Sequence, residues 1–525
     1  MTSSPPSATR QIARAAGTVT LAFLLTQLIG LGRGIIIYRA FGTSTDLDSF
    51  NAANRVAELL FNLMAGGALG SAFIPTFTGL LTRQQKPLAW KLASAIANLL
   101  LVVLTLIAGL AAIFAPQVVR GGLFYLAPDL PPGQEALTIL LLRTLLPTVV
   151  IFGLSGLVMG ILNAHQRFWL PAIAPAMYSL GQIGGVLLLP TAWGIHRLAI
   201  GALVGALLHL LVQLPGLLRL RGQYTLALGL RLAEVRQVAV LMGPRILGVA
   251  VVQINFIVNT ILALSLPEGS VSAVTLAFTL MLMPQVAIAQ SAAIAAMPTF
   301  SAQVALGKLD ELRTALAATL RTVLLLAIPA TVGLIMLRLP LIRFLYEGGE
   351  FTSRSTELVA WALLWYAAGL VGHSLVEILA RAFYALHDTR TPVVVGAAAM
   401  SLNVLFSFAF LALFRRWGWL PHGGLALANS LATALEMIGL LLLMRRKLGG
   451  LDGRRVWGGT LRALLAALIM GVALAGWLAL GETLPNWLLT AGGMLLGGLV
   501  YALVMLGSGV PEVRGLLQAL RSRVR

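Results

Sequence analysis

The fold is decided by stretches such as residues 89–115, which read AWKLASAIANLLLVVLTLIAGLAAIFA and carry no charged side chain after Lys91. A helix rises about 1.5 Å per residue, so about 20 apolar residues cross a hydrocarbon core of about 30 Å. Such runs recur along all 525 residues, of which 58% are hydrophobic and 10% charged, and the mean hydropathy is +0.91. Because a β-barrel would instead show alternating segments of about ten residues, the sequence predicts an all-α polytopic membrane protein.

About fourteen transmembrane helices are predicted between charged or Pro/Gly-rich loops. Arg10 and Arg14 precede a long apolar stretch, which we interpret as an uncleaved first span because a signal peptide would have a shorter core. The predicted spans are residues 16–40, 48–80, 89–115, 136–162, 169–190, 198–219, 237–264, 271–300, 313–338, 357–386, 391–414, 423–444, 457–480 and 486–509.

The charge is strongly basic, with 37 Lys and Arg against 18 Asp and Glu and a net charge of +19. With the N-terminus inside, twenty-two basic residues fall in cytoplasmic segments. The opposite loops hold only Arg120, Arg197, Arg343, Arg354, Arg415 and Arg416. This asymmetry follows the positive-inside rule and predicts that both termini are cytoplasmic. No stripe of aromatic and basic residues indicates a nucleic-acid partner.

Several kinds of chemistry are disfavoured by what the sequence lacks. Zero cysteines exclude disulfides and thiolate metal ligands. The six histidines form no metal-binding pair at helical spacing, and no nucleophile–base motif, paired-carboxylate motif or GxxxxGK[ST] nucleotide-binding loop is present. We therefore expect no metal, no cofactor and no enzymatic activity, and a membrane potential or an ion gradient as the energy source.

A faint internal repeat relates the two halves of the chain. Residues 73–77, FIPTF, resemble residues 296–300, AMPTF, at an offset of 223, and the loops at 163–167 and 385–390 match at an offset of 221. An offset of six spans preserves orientation, so the halves are predicted to be parallel repeats with the substrate path between them. The alternative is that these segments match by chance, because Pro and Ala recur in a sequence with such a biased composition.

Several stretches resemble the MurJ (MviN) family, the bacterial lipid II flippases within the larger group of multidrug and polysaccharide exporters. The most specific are Gly67–Pro75, which reads GALGSAFIP, and the block from Ala382 to Pro392. Further matching stretches are Ile29–Arg33, Phe41–Gly42, Asp48–Phe50, Gly160–Asn163, Arg167–Phe168, Pro171–Ala172, Ala174–Pro175, Gly243–Pro244, Ile246–Val249 and Asn259–Thr260.

The resemblance implies two six-helix lobes around a central cavity, at residues 1–222 and 223–448, followed by two C-terminal helices within 449–525. It implies alternating-access movement of lipid II, an undecaprenyl-linked precursor of peptidoglycan, to the outer leaflet of the bacterial inner membrane. Its partners would be that lipid-linked substrate and membrane lipids. The alternatives are export of another polyprenyl-linked glycan or an amphipathic compound, a non-transporting cell-wall scaffold, and a membrane enzyme. The oligomeric state is not predicted.

Substrate-binding candidates are charged residues in the first two spans, because a pyrophosphate needs cations and a charge in the membrane is costly unless it is used. Arg33 matches a family arginine that lines the cavity, although it could instead reach the outer headgroups. Arg55 matches a basic family position and could contact substrate or simply pair with Glu58 three residues later. Asp48 matches a family acid and could equally favour the start of its helix through the dipole.

Three further charged residues are candidates, namely Arg245, Glu377 and Glu436. Arg245 begins the seventh span and is either a substrate contact or an anchor at the cytoplasmic interface. Glu377 and Arg381 are spaced i, i+4 and most simply neutralise one another. Glu436 has no sequence-local partner, so it is a candidate for ion coupling, with pairing across helices or a position near the membrane interface as the alternatives. Glu377 is the second ion-coupling candidate.

The chain also departs from the family at positions where relatives often carry charge. In the first two spans Gln27 and Phe61 replace arginines, and Gly66 replaces an acidic residue. In the eighth span an expected Asp-Arg pair and a Glu are replaced by neutral residues, namely Phe278, Thr279 and Leu282. The predicted anion site is therefore poorer in cations than that of relatives, and the identity of the cargo is less secure than the fold.

Overall fold

The computed structural model describes residues 8–64, 68–127, 131, 133–451, 453–481 and 483–508. Within these ranges the regular secondary structure is helical, and the only β pairing is an isolated bridge between Gly348 and Phe351. The predicted all-α class is confirmed.

The helices follow the predicted spans closely. A 3-10 turn at Thr191–Trp193 and π-helical turns at Val119–Leu123 and Val286–Gln290 interrupt the series. The α-helices are α1 (Ala8–Phe41), α2 (Thr45–Met64), α3 (Ala68–Thr82), α4 (Lys86–Ile113), α5 (Ala115–Val118), α6 (Gln134–Ala164), α7 (Trp169–Leu188), α8 (His196–Leu211), α9 (Leu214–Leu218), α10 (Ala233–Leu264), α11 (Ser270–Gln285), α12 (Ser291–Ala305), α13 (Leu309–Tyr346), α14 (Ser353–Ala368), α15 (Leu370–Ala385), α16 (Arg390–Arg416), α17 (His422–Lys447), α18 (Gly453–Leu480) and α19 (Asn486–Gly507).

In the described ranges, ten helical segments are long and apolar enough to cross a membrane. The number rises to twelve if each of two bent helix pairs is counted as one span. One bend, of 46°, separates α14 from α15, and the other lies within α10. The remaining two predicted spans coincide with α1 and with the pair α2 and α3. α2 carries four charged residues and α3 has only 15 residues, which explains why neither qualifies on hydropathy and length.

The first compact unit, Met1–Gly269, depends on close contact between α7 and α8. A Cβ at Gly181 would overlap the Cα of Gly205, and a Cβ at Gly185 would meet the Cα of Gly201 at 2.5 Å. Two glycines at a spacing of four on each helix thus let the backbones touch, as small residues do in membrane helix pairs. α7 also packs on α1, which carries Arg33.

α10 belongs by packing to this first unit, where it contacts α2, α3 and α4. The repeat would assign the same helix to the second half. Packing and repeat are different criteria, so the lobe boundary at residues 222 and 223 stays a prediction.

The second compact unit, Ser270–Arg525, is built around α13, which packs on α14, α18 and α19. The hydroxyl of Tyr501 on α19 donates to the carbonyl of Leu325 on α13 at 2.8 Å. The two C-terminal helices of the described chain are therefore integrated into this unit by a long shared surface.

The internal repeat recurs in the backbone at the offsets predicted from the sequence. α3 and α12 end on residues with positive φ, Gln84 (60°) and Gly307 (69°), which are 223 residues apart. α6 and α15 are followed by Gln166 (58°) and His387 (56°), which are 221 apart. After each of the four, the next amide donates to the carbonyl five residues earlier at 2.9 Å, which is the Schellman helix ending. Two pairs of helix endings thus share the offsets of the sequence repeat.

Candidate functional site

Arg33 lies on α1 with its guanidinium directed at α7. Its Nη1 donates to Oε1 of Gln182 at 3.2 Å, and Nε2 of Gln182 donates to the hydroxyl of Tyr178 at 3.2 Å. The Nε of Arg33 is buried and has no hydrogen-bond partner. No carboxylate of the described residues lies within ion-pair distance of Arg33, so its described hydrogen-bond partner is the neutral side chain of Gln182.

Arg55 lies on α2 in the ion pair that its spacing predicted. Its Nη1 contacts Oε2 of Glu58 at 2.8 Å, and the other oxygen of Glu58 accepts from Asn54 at 2.7 Å. The guanidinium also lies over the ring of Phe256 on α10, 5.0 Å from the centroid. The Arg55 side chain is 24% exposed, so the pair and the cation–π contact leave part of the guanidinium accessible.

Asp48 is only 4% exposed and lies in the first turn of α2. Its Oδ2 accepts from the backbone amide of Gly269 at 2.8 Å, and the nearby amide of Thr45 donates to Glu268 at 2.9 Å. Gly269 has a φ of +86°, and a Cβ there would lie 2.5 Å from the carbonyl oxygen of Thr43. Asp48 and Glu268 thus fasten the segment after α10 to the start of α2, where the helix dipole favours negative charge.

The other three candidates differ in how far the structure describes them. Arg245 lies within α10, but its side chain is outside the described part of the protein. Glu377 and Arg381 form their predicted pair at 2.8 Å on α15. Glu436 on α17 is half-buried against α16, where a Cβ at Gly396 would lie 3.2 Å from its Oε1, and it has no hydrogen bond or ion pair among the described residues.

Asp388 follows α15 at the end of the second repeated loop. Its Oδ2 accepts from Lys447 at 2.6 Å and from the hydroxyl of Thr391 at 2.8 Å, while Oδ1 accepts from the Thr391 amide at 3.0 Å. These bonds, led by that from Lys447, lower the pKa of Asp388 to about 2. Asp388 thus holds the turn between α15 and α16 and ties it to the end of α17. Arg167, at the matching place in the first half, donates instead to the carbonyl of Gly216 at 3.2 Å.

The comparison with known families decides the relationship. A sequence model described as "Lipid II flippase MurJ" matches residues 37–506.

The chain belongs to the MurJ family.

Named relatives match over nearly the whole chain. The chain is 31% identical over 475 residues to the lipid II flippase MurJ of Burkholderia cenocepacia, covering 89% of this chain and 90% of that protein. It is 28% identical over 525 residues to the probable lipid II flippase MurJ of Vibrio cholerae, covering 97% and 96%. The MurJ family is a family of membrane transporters.

Solved structures show the same fold. A lipid II flippase MurJ in an inward closed conformation matches with a TM-score of 0.79 at 24% identity, over 93% of this chain and 97% of that one. An inward-facing multidrug resistance transporter of the MATE family, from the MOP superfamily, matches with a TM-score of 0.69 at 17% identity, over 84% and 99%. The MurJ fold is thus shared with transporters of other cargo.

Two of the residues that were predicted to depart from the family pattern, Phe61 and Phe278, make aromatic contacts. Phe61 packs on Phe152 of α6 with ring centroids 5.6 Å apart, and Phe152 packs in turn on Tyr178 at 5.1 Å. In the second unit Phe278 lies 5.2 Å from Tyr366 and 6.1 Å from His373. Phe61 therefore supports, through Phe152, the tyrosine that is hydrogen-bonded to Gln182.

The other residues at which the chain departs from the predicted family pattern are also uncharged. Thr279 is exposed and its hydroxyl donates to the carbonyl of Thr275 within α11, at 2.9 Å. Gln27 is exposed and Leu282 is half-buried. Gly66 is outside the described residues.

Sequence reasoning missed the residues that hold Arg33. Gln182 is 4% exposed and lies 149 residues away in sequence, so no local motif connects the two. A second buried network was missed for the same reason. In it, Ser155 bonds Nδ1 of His209 at 2.7 Å, and Gln213 donates to Ser155 at 2.7 Å. A polar side chain such as Gln182, Ser155 or Gln213 inside an otherwise apolar span was the available signal.

Proposed function

We propose that the protein moves lipid II from the cytoplasmic to the outer leaflet of the bacterial inner membrane by alternating access. Membership of the MurJ family over about nine-tenths of the chain supports this proposal. The observation that supports a substrate-binding site is the state of Arg33. This intramembrane guanidinium is held by Gln182 and is not neutralised by any described carboxylate.

The chemistry of the substrate fits this arrangement. The pyrophosphate of lipid II carries negative charge and acceptor oxygens, and guanidinium–phosphate hydrogen bonds are short and charge-assisted. An unsatisfied buried donor such as the Nε of Arg33 gains a partner when the phosphate binds. Arg33 is therefore proposed as the primary phosphate ligand.

The other substrate-binding candidates are proposed in secondary roles. Arg55 remains partly exposed beside Glu58 and would add a second cation, and Arg245 would add a third from α10. Asp48 would act by holding the start of α2, because its carboxylate is already occupied by Gly269.

Transport of a charged lipid needs an energy source, and we propose Glu436 as the ion-coupling group. A half-buried carboxylate on a span, without a described partner, can take up and release a proton as its surroundings change. Glu377 is the weaker candidate because Arg381 already neutralises it. No catalytic step is proposed, and both termini are proposed to be cytoplasmic from the distribution of basic residues.

A second cargo is supported by one specific observation. Phe61, Phe278 and Thr279 leave the expected anion site with fewer cations, and aromatic faces can bind apolar or sugar surfaces. Export of another polyprenyl-linked glycan or of an amphipathic compound is therefore the second candidate function.

A complementation experiment distinguishes lipid II transport from export of another cargo. The gene is expressed in a bacterium depleted of its own lipid II flippase, with Arg33→Ala and Arg33→Lys as variants. We expect growth with the unaltered protein, none with alanine, and partial growth with lysine, which keeps the charge but not the planar fork. Failure of the well-expressed, membrane-inserted protein to support growth would favour the second cargo.

A further inference from the structure

A cavity of about 370 Å³ lies within the first unit, apart from Arg33 and its partners. It is open on one side and is lined by α4, α6, α8, α9 and the segment of residues 219–224. Eleven of its fifteen lining residues are apolar, among them Ala97, Val158 and Leu217. A cavity of this size and lining suits an apolar ligand or an apolar part of a ligand.

One end of the cavity is polar. Arg221 lines it together with Tyr224 and Ser94. Arg221 is exposed, has a φ of +50°, and forms no ion pair or side-chain hydrogen bond with the described residues. The cavity thus joins an apolar interior to a single unpaired guanidinium at its rim.

The wall that carries Arg221 is fixed in place. Residues 222–229 run along α4, where Asn98 donates to the carbonyls of Thr225 and Ala227 at 3.0 and 2.9 Å. The amide of Thr225 donates to Ser94 at 3.1 Å, and the hydroxyl of Tyr224 donates to Asn98. Arg221 therefore lies at a defined position beside the cavity.

The surroundings of the cavity match a membrane interface. Leu211 and Leu218, on the helices that form one wall, are 52% and 74% exposed, so this wall presents apolar side chains at the surface of the protein. Arg221 is the charged residue that lines the cavity, whereas Lys91 and Arg219 are exposed but do not line it. A ligand with an apolar tail and an anionic head would match both the lining and the charge.

We propose that this cavity binds an anionic phospholipid of the cytoplasmic leaflet. One acyl chain fills the space between α4, α6 and α8, and Arg221 binds the phosphate. Bound lipid adds a contact between the segment of residues 219–224 and α4, and so stabilises the connection that leads to α10. This site is separate from that of the transported lipid and does not depend on which cargo is moved.

The test is native mass spectrometry of the full-length protein in detergent, titrated with phosphatidylglycerol or phosphatidylcholine. We expect one tightly bound phosphatidylglycerol and weaker binding of phosphatidylcholine. Arg221→Ala should lower the affinity for phosphatidylglycerol about tenfold, which corresponds to the loss of one charge-assisted hydrogen bond, and Arg221→Lys should retain most of it. Ala97→Trp, which fills the cavity, should abolish the tight site.

Matched controls decide the outcome. Arg219→Ala removes a neighbouring charge that does not line the cavity, and Leu101→Trp places a tryptophan at an exposed position of α4 that does not line it either. Both should bind phosphatidylglycerol like the unaltered protein. Equal losses in Arg219→Ala and Arg221→Ala, or tight binding that survives Ala97→Trp, would overturn the proposal. Displacement of the lipid by millimolar inorganic phosphate would show an anion site without a lipid tail and would also overturn it.

Discussion

Replacing Gln182 tests whether this residue positions Arg33 for substrate or only contributes to packing. Gln182 accepts from Arg33 at 3.2 Å and is almost fully buried. In Gln182→Glu the side chain keeps its size, and the new carboxylate pairs with Arg33 and neutralises it. Two unit charges about 3 Å apart attract by about 5 kcal/mol at an effective dielectric constant of about 20, less the several kcal/mol that desolvating the carboxylate costs.

The glutamate variant is therefore expected to fold normally and to transport poorly. Its own carboxylate occupies the guanidinium that would bind the phosphate, and loss of one charge-assisted hydrogen bond of about 1.5–3 kcal/mol lowers substrate affinity about tenfold to a hundredfold. Gln182→Leu instead leaves Arg33 without its acceptor and should reduce both thermal stability and transport.

The assay combines two measurements on each purified variant. Thermal unfolding in detergent reports stability, and binding of lipid II to the same sample reports the site. Full lipid II affinity in Gln182→Glu would refute the reasoning, because it would show that Arg33 does not bind the phosphate. Equal loss of stability and affinity in both variants would reduce Gln182 to a packing residue.

The remaining predictions concern packing, a loop carboxylate and ion coupling. Gly181→Val should abolish folded, membrane-inserted protein, because its side chain would enter the α8 backbone. Gly184→Val should be tolerated, since a Cβ there meets only the tip of Leu188 at 3.9 Å. Fluorescence-detected size exclusion of detergent extracts compares the two variants, and equal yields of folded protein would contradict the packing account. The lowered pKa of Asp388 stabilises the fold above pH about 4 and loses this effect as pH falls through about 2, so Asp388→Asn should lower the melting temperature at pH 7 by an amount that shrinks toward pH 2. A constant difference across that range would refute this. Glu436→Gln should abolish the dependence of transport on a pH gradient while leaving lipid II binding intact; unchanged gradient dependence would remove Glu436 from coupling.

The spans and the repeat were predictable because each depends on local sequence. About 20 apolar residues must form a helix in lipid, and the repeated helix endings depend on a few consecutive residues. The i, i+3 pair of Arg55 with Glu58 and the i, i+4 pair of Glu377 with Arg381 were predictable for the same reason.

The rest of the site depends on contacts between distant segments. Gln182 on α7 meets Arg33 on α1 because α7 packs on α1 as well as on α8, which the glycines of α7 and α8 let approach closely. The role of Asp48 as an acceptor for Gly269, 221 residues away, likewise follows from the packing of α10 against α2. No pattern of spacing on one helix could indicate these contacts.

The most direct test of the central claim uses purified protein in vesicles that contain fluorescent lipid II in both leaflets. An impermeant quencher reports the fraction of lipid II that changes leaflet under an imposed membrane potential or pH gradient. We predict lipid II movement by the unaltered protein and none by Arg33→Ala inserted to the same density. No movement by the unaltered protein, or equal movement by both, would contradict the account.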